Sequence, residues 1–379
     1  MQRRKLLAAV PSLLTSGVLS GLIRPVYAQT AQIRFGQSAS ITGGQAAYGK
    51  DIRDGINAAF AAANKAGSAK SGRFELVTLD DGGDQTRCVQ NTKTLIDSGV
   101  SALLGFTSGA GAEAALPQIE ESQIVLLGTA SGNMGIRRKE LNMPYHVRAG
   151  SDDEYVKLVA FIKDFGMKKV AYVYLKDVSN ANLAAMENAM KAAGIAPAIA
   201  IALDRNAKSF DADAAKLLAA DVEGILFTTN AQPIVRITDY LAKNGFTGFS
   251  FCTSFAGQAL IDTLSSKRRS IIMSQVVLRP KTIGSSLIKH YQEHIAALGG
   301  GARTGYTSLE GYIAGMVAIE AAQLALKGED GVSRSRFKKA ISALNVDLGG
   351  YRVNFASGGH HGSHFSEVLA VDKTGRIIG

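Results

Sequence analysis

Residues 100–132 read VSALLGFTSGAGAEAALPQIEESQIVLLGTASG and constrain the fold more than any other stretch of the chain. Two short apolar runs, 101–106 and 124–127, each stop in small residues: Thr107-Ser108-Gly109-Ala110 after the first, Gly128-Thr129-Ala130-Ser131-Gly132 after the second. Runs of this length bounded by turn residues predict strands, and 112–121 between them has helical composition. Two strands joined through a helix read as a parallel β-α-β unit. Both small-residue turns then fall at the carboxyl ends of strands, where ligands bind in open α/β sheets. Small side chains let a ligand approach backbone N–H groups, and helix N-termini facing the same crevice favour anionic groups.

The same alternation runs through the chain, which predicts a doubly wound parallel α/β architecture. A first strand at 33–36 leads into the glycine-rich loop 40–49, and the next helix puts Ile52, Ile56, Ala59, Phe60 and Ala63 on one face. A strand at 74–79 and a helix at 85–97 follow, separated by the turn Asp80-Asp81-Gly82-Gly83-Asp84. Residues 143–150 are extended and predict a crossing between lobes, with Ser151-Asp152-Asp153-Glu154 as N-cap and acidic first turn of the helix beyond. A second series follows, with strands at 170–175, 199–203, 224–228 and 249–253 and helices at 181–193, 212–220 and 234–244. Residues 271–278 lead through Arg279-Pro280-Lys281 to a second crossing. The long run 308–326 carries Glu310 and Glu320 and reads as a buried core helix, not a membrane span. After a helix at 336–344, residues 351–378 read as a hairpin-like finish to the sheet. The expected whole is two similar lobes with parallel sheets and a hinge of three crossings: 29–147 with 281–350, and 148–280 with 351–379.

The first 28 residues stand apart. Met1-Gln-Arg-Arg-Lys is a basic start, 6–22 an apolar stretch, and Val26-Tyr27-Ala28 a small-residue cleavage pattern, which together predict a secretory signal peptide cleaved near Ala28. The pair Arg3-Arg4 leaves general and twin-arginine export both open. The leader holds four cations and no acid, so its removal takes the formal net charge from +10 to +6. A nucleic-acid partner would want clustered cations with interleaved aromatics. The clusters present, Arg137-Arg138-Lys139, Lys267-Arg268-Arg269 and 334–339, read instead as solvated loop or helix faces. Cys88 and Cys252 lie far apart; an exported chain could join them or keep two buried thiols.

Catalytic motifs are not supported. Gly109-Ala110-Gly111-Ala112-Glu113-Ala114 fits the spacing of a dinucleotide fingerprint, but Gly128-Thr129-Ala130 stands where the ribose-binding acid should. His360, His361 and His364, and the pair His290 and His294, lack the cysteine or glutamate companions of a metal site and read as surface histidines. No G-x-S-x-G elbow occurs. On local grounds Tyr48 could be a cleft, core or surface aromatic.

The signal peptide, the loop ending in Tyr48-Gly49, the Asp80-Asp81 turn, the stretch from Gly105 to Ser131 and the three crossings together resemble the leucine/isoleucine/valine-binding proteins. These are periplasmic receptors of branched-chain amino acid ABC importers with the type I periplasmic binding protein fold. The resemblance covers essentially all of 32–379. It implies two Rossmann-like lobes closing over a ligand, no enzyme activity, no cofactor, a monomer in the periplasm, and an inner-membrane ABC permease as partner. Carried over by position, the ligand site would comprise Tyr48, Thr107, Ser108, Gly109, Ala130, Ser131 and Gly132 from the first lobe, with Ser179, Asn230 and Ser254 from the second. The chain departs from the family there. Gly109 and Gly132 replace a serine and a threonine, Ser179 and Asn230 replace two tyrosines, and Ser254 replaces the glutamate that pairs with a ligand ammonium. Gly83 and Ser108 stand where the family has a disulfide. A buried ammonium without an anionic acceptor is costly, so Asp177 or Glu310 would have to replace the acid, or the ligand is a carboxylate without an ammonium. The expected function is a solute-binding protein for a small carboxylated solute, an amino acid or an aromatic or aliphatic organic acid. An exported sensing subunit is the alternative, disfavoured on the expectation that an output segment would follow Gly379.

Overall fold

The computed structural model describes residues 31–68, 72–205, 207–327, 331–357 and 359–378. The expected leader lies outside the described residues. The chain runs β1 (Ala31–Ala39), α1 (Ala46–Lys65), β2 (Gly72–Asp80), α2 (Gln85–Asp97), β3 (Ala102–Leu104), α3 (Gly109–Glu121), β4 (Leu126–Leu127) and β5 (Pro144–Tyr145). These five strands form a parallel sheet in the order β2-β1-β3-β4-β5. Then come α4 (Ser151–Asp164), β6 (Val170–Leu175), α5 (Asn180–Ala193), β7 (Ile199–Leu203), α6 (Asp211–Ala219), β8 (Gly224–Phe227), α7 (Ala231–Lys243), β9 (Phe249–Cys252), α8 (Gly257–Ser266) and β10 (Ile271–Gln275). The chain continues through α9 (Ser286–Leu298), α10 (Tyr306–Ala325), α11 (Arg334–Ser342), β11 (Asn345–Asp347), β12 (Arg352–Asn354), β13 (Glu367–Val371) and β14 (Ile377–Ile378). The second sheet has the order β14-β13-β10-β9-β8-β6-β7, parallel except where β13 and β14 run antiparallel at one edge.

In the first sheet β1 lies between β2 and β3, and in the second β6 lies between β7 and β8. Each is a point where successive connections leave in opposite directions, and the crevice outside the strand ends there is where such sheets bind ligands. The β-α-β unit expected from 100–132 is present, with Leu103 beside Leu126 in register. β3 is shorter than its apolar run because Gly105 turns the backbone to φ +65°, a region open mainly to glycine; β4 ends with its run at Leu127 and starts two residues late.

The first lobe's core is closed by α1 against α10. A Cβ on Gly55 would come within 2.0 Å of the Ser308 carbonyl oxygen, and one on Gly311 within 2.2 Å of the Ile52 carbonyl oxygen. The two helices therefore touch backbone to backbone, and α10 is buried along its length, Glu310 included. No helix among the described residues is long and apolar enough to cross a membrane.

The chain crosses to the second sheet after β5, returns after β10 to place α9, α10 and α11 on the first lobe, and crosses again before β13. Tyr351 joins these passes. Its hydroxyl lies 3.1 Å from the carbonyl oxygens of both Val147 and Val276.

Three expectations need correction. Residues 352–354 do not finish the second sheet; they pair with β11 in a separate ribbon, turned at Gly349 and Gly350, whose N–H groups donate to Asp347. Only β13 and β14 form the terminal hairpin. The N-cap of α4 is Gly150, with Ser151 already inside the helix. Residues 257–266 and 286–298, for which the sequence reading gives no helix bounds, form α8 and α9. Cys88 and Cys252 are both free and buried.

Candidate functional site

The wall of the first lobe is three turns braced against each other. Asp80 accepts from the N–H groups of Ile41, Thr42 and Gly82 and from the Thr42 hydroxyl. Burial opposes the charge of its carboxyl, but these bonds hold it down at about 2. Buried Asp81 takes the hydroxyls of Ser38 and Ser40, and the Ser40 N–H donates to Thr107 Oγ1 at 3.0 Å. Ser108 caps α3, its Oγ accepting from the Gly111 N–H at 3.0 Å, and Ser131 Oγ accepts from the Asn133 N–H at 3.2 Å. Each serine hydroxyl thus has a lone pair in use and a proton still to donate.

Packing explains two departures from the family pattern. A Cβ on Gly109 would lie 2.4 Å from Ser131 Oγ, and one on Gly132 would lie 2.6 Å from Ser151 Oγ. Serine or threonine cannot stand at either position while Ser131 and Ser151 hold these places.

The opposite wall comes from the ends of β6 and β9 and from the loop after β7. Leu175, Asp177, Ser179, Asn182, Arg205 and Phe255 line it. Ser179 caps α5, accepting from the Ala181 N–H at 3.2 Å, and reaches Glu113 of α3 at 3.5 Å. The Met134 N–H donates to Asn182 Oδ1 at 2.6 Å across the cleft, and Arg205 holds Asp177 through two bonds at 2.8 and 3.1 Å. With these contacts made, about 60 Å³ remains between the walls.

Of the residues expected at the site, Ser108, Gly109, Ser131, Gly132 and Ser179 line this space. Asn230 lines a larger space of about 500 Å³ further out. Tyr48, Thr107, Ala130 and Ser254 stand behind the walls. Tyr48 is buried, with its hydroxyl donating to the Ala130 carbonyl oxygen at 2.9 Å and its ring edge-on to Phe255.

Ser254 belongs to a buried ionic cluster that the sequence reading largely missed. Arg148, from the first crossing, donates to Glu154 of α4, to Ser254 Oγ at 2.9 Å and to Glu310 of α10 at 3.2 Å. Glu154 also accepts from the Ser254 N–H at 2.8 Å and from the Ser274 hydroxyl. Burial opposes the charge of Arg148, yet Glu310 and Glu154 hold its pKa above the usual arginine range. Burial pushes Glu310 upward, with Arg148 opposing it, and burial likewise raises the Tyr48 phenol. Arg137, expected in a solvated loop, is buried too; it donates to the carbonyl oxygens of Ser131, Arg148 and Ala149 and faces Nδ1 of His361 at 3.3 Å. Burial lowers its pKa to about 9. The sequence carries one signal: Tyr155, Leu158, Val159 and Ile162 recur at helical spacing, and Glu154 lies four residues before Leu158 on that face, where α4 buries it.

Among the described residues no group of three His, Cys, Asp or Glu is arranged to hold a metal. His360 stacks on Tyr145, His364 pairs with Asp153, and His294 meets the Tyr312 hydroxyl.

Comparison with known proteins agrees with this geometry. Residues 32–376 match the family described as periplasmic binding protein. The Leu/Ile/Val-binding protein homolog 3 of Brucella melitensis biotype 1 is 25% identical over 57% of this chain and 59% of its own. The Leu/Ile/Val-binding protein BraC3 of Rhizobium johnstonii is 26% identical over 52% and 54%. The chain thus spans little more than half the length of these curated relatives. Among solved structures, a possible leucine/isoleucine/valine-binding protein from Rhodopirellula baltica superposes with TM-score 0.86 at 22% identity, covering 92% of this chain and 97% of that one. A branched-chain amino acid ABC transporter protein from Thermus thermophilus with bound valine gives 0.83 at 16% identity, over 92% and 95%. A solute-binding protein from R. palustris in complex with 4-hydroxybenzoate gives 0.77 at 16% identity, over 91% and 95%. At these identities the structures show a common fold. The chain belongs to the periplasmic binding protein family.

Proposed function

We propose that this protein is the exported receptor of an ABC importer and that its lobes close on a small carboxylated solute. One observation carries the reading. Ser108 and Ser131 each accept from a backbone N–H, keep a hydroxyl proton free, and line the same space at the carboxyl ends of β3 and β4. Two such donors beside the N-terminus of α3 suit a carboxylate. Valine and 4-hydroxybenzoate, bound by two structural neighbours, share that group and differ in the ammonium. In this chain the cluster gives Glu154 and Glu310 to Arg148, so a solute ammonium would have to turn to Asp177.

On this reading residues 1–28 direct export and are removed near Ala28, the lobes divide as 29–147 with 281–350 and 148–280 with 351–379, and a monomer meets the permease. Isothermal titration of the mature chain against amino acids and organic acids tests it. A micromolar complex, about −8 kcal/mol, is expected for some carboxylated solutes and lost when the carboxylate is replaced by a methyl ester. Failure of the folded chain to bind any of them overturns it.

A further inference from the structure

The outer half of the cleft is built differently from the inner half. Its space of about 500 Å³ is lined by Gln45 and Asp84 from the first lobe and by Asn230, Gln232, Asp177 and Arg205 from the second. The Asp177–Arg205 pair lines the inner space as well, so a single solute can extend past it from one to the other.

Two buried amide atoms here have no partner among the described residues. Gln45 is 8% exposed, and its Nε2 meets no acceptor; Asn230 is 6% exposed, and its Oδ1 meets no donor. Both occupy N-cap positions, of α1 and α7, yet neither side chain caps its helix, whereas Asp84, Ser108 and Ser179 cap theirs. A buried amide atom without a partner is costly, and these two come from opposite walls of one space. The charges around them are engaged. Arg205 and Asp177 hold each other, and Asp84 accepts from the Arg87 N–H at 2.8 Å.

We propose that the outer cleft is a second polar subsite, and that the solute held by its carboxylate at Ser108 and Ser131 carries a neutral carboxamide at its far end. This rests on the carboxylate reading of the inner cleft. Glutamine and asparagine side chains offer one donor group and one acceptor whichever way each amide is turned. A carboxamide returns the same pair. An alkyl end leaves both amide atoms unmade, and a second carboxylate supplies acceptors only while finding no free cation.

The test uses two matched sets of five-carbon probes on the mature chain: glutaramic, glutaric and pentanoic acids, and glutamine, glutamate and norvaline. Titration calorimetry should show, within at least one set, the amide bound at least about tenfold tighter than its alkyl and acidic counterparts. In Q45L and N230L the amide-to-alkyl ratio should fall close to one, with unliganded melting confirming that each variant folds. Equal or tighter binding of the alkyl or acidic member in both sets overturns the proposal, as does a ratio that survives both substitutions. If probes bind and S108A and S131A weaken them all while the far end makes no difference, the outer subsite fails and the carboxylate reading stands. If no probe binds, both fail.

Discussion

The two walls of the cleft use their polar groups in opposite ways. On the first, Asp80, Asp81, Thr107, Ser108 and Ser131 are fixed by bonds among the turns themselves. On the second, Asn230 makes no side-chain bond among the described residues, as Gln45 facing it from the rim of the first lobe makes none, and the Asp177–Arg205 pair stands part-exposed. A prearranged wall loses little entropy when a carboxylate arrives, and suits a feature every solute of the class shares. A wall with unspent amide groups discriminates among what the solutes do not share.

The strongest way to break this contrast is to cut the link between the walls. Arg148→Met leaves Glu154 and Glu310 buried without their cation and should cost about 3–5 kcal/mol, read by urea unfolding. A loss below about 1 kcal/mol would show that the walls do not depend on that arginine. Next comes Tyr48. As a buried first-wall residue, Tyr48→Ala should cost about 3 kcal/mol of unliganded stability, and Tyr48→Phe about 1 kcal/mol for the bond to Ala130. An alanine variant that melts normally but binds solute poorly would move Tyr48 into the cleft. Third, Ser108→Ala and Ser131→Ala should each weaken a carboxylated solute about tenfold, since hydrogen bonds to charged groups contribute about 1.5–3 kcal/mol. Ser179→Ala should change affinity about threefold or less, its Oγ already shared with Glu113. The reverse order would hand the anchoring role to the second wall.

The smallest effect expected is a pH dependence at the crossings. Burial, with Arg137 beside them, keeps His146 and His361 neutral and lowers both pKa values. Their contribution to stability is therefore complete above the unfolded histidine value of about 6.5 and is lost as pH falls below it. Melting temperature should decline between pH 7 and 5 and decline less in His361→Gln. Loss of Asp80's contribution belongs to a separate window, from the ordinary aspartate range down to about 2.

Much of this architecture was legible because its signals are local. The strands at 170–175 and 199–203 and the helix at 85–97 have the expected bounds, each being an apolar run closed by turn residues. The ribbon at 345–354 was not legible as such, since an isolated antiparallel pair and a sheet edge share one pattern. At the site, the turns holding Ser108 and Ser131 could be placed from composition. Arg148 could not, because its partners lie 6, 106 and 162 residues away. Distance along the chain hides pairings that only the closed fold makes, and the same holds for Asn182 meeting Met134.

The hydroxyl of Tyr351, shared between the carbonyls of Val147 and Val276, sits on all three passes between the lobes and is pushed up to about 12, chiefly by burial. A single proton divided between two acceptors makes the straps mechanically interdependent: one cannot flex without disturbing the bond to the others. If the proposed receptor opens and shuts, straps tied in this way move together, and solutes of unequal size would produce the same outline on the outside of the closed protein.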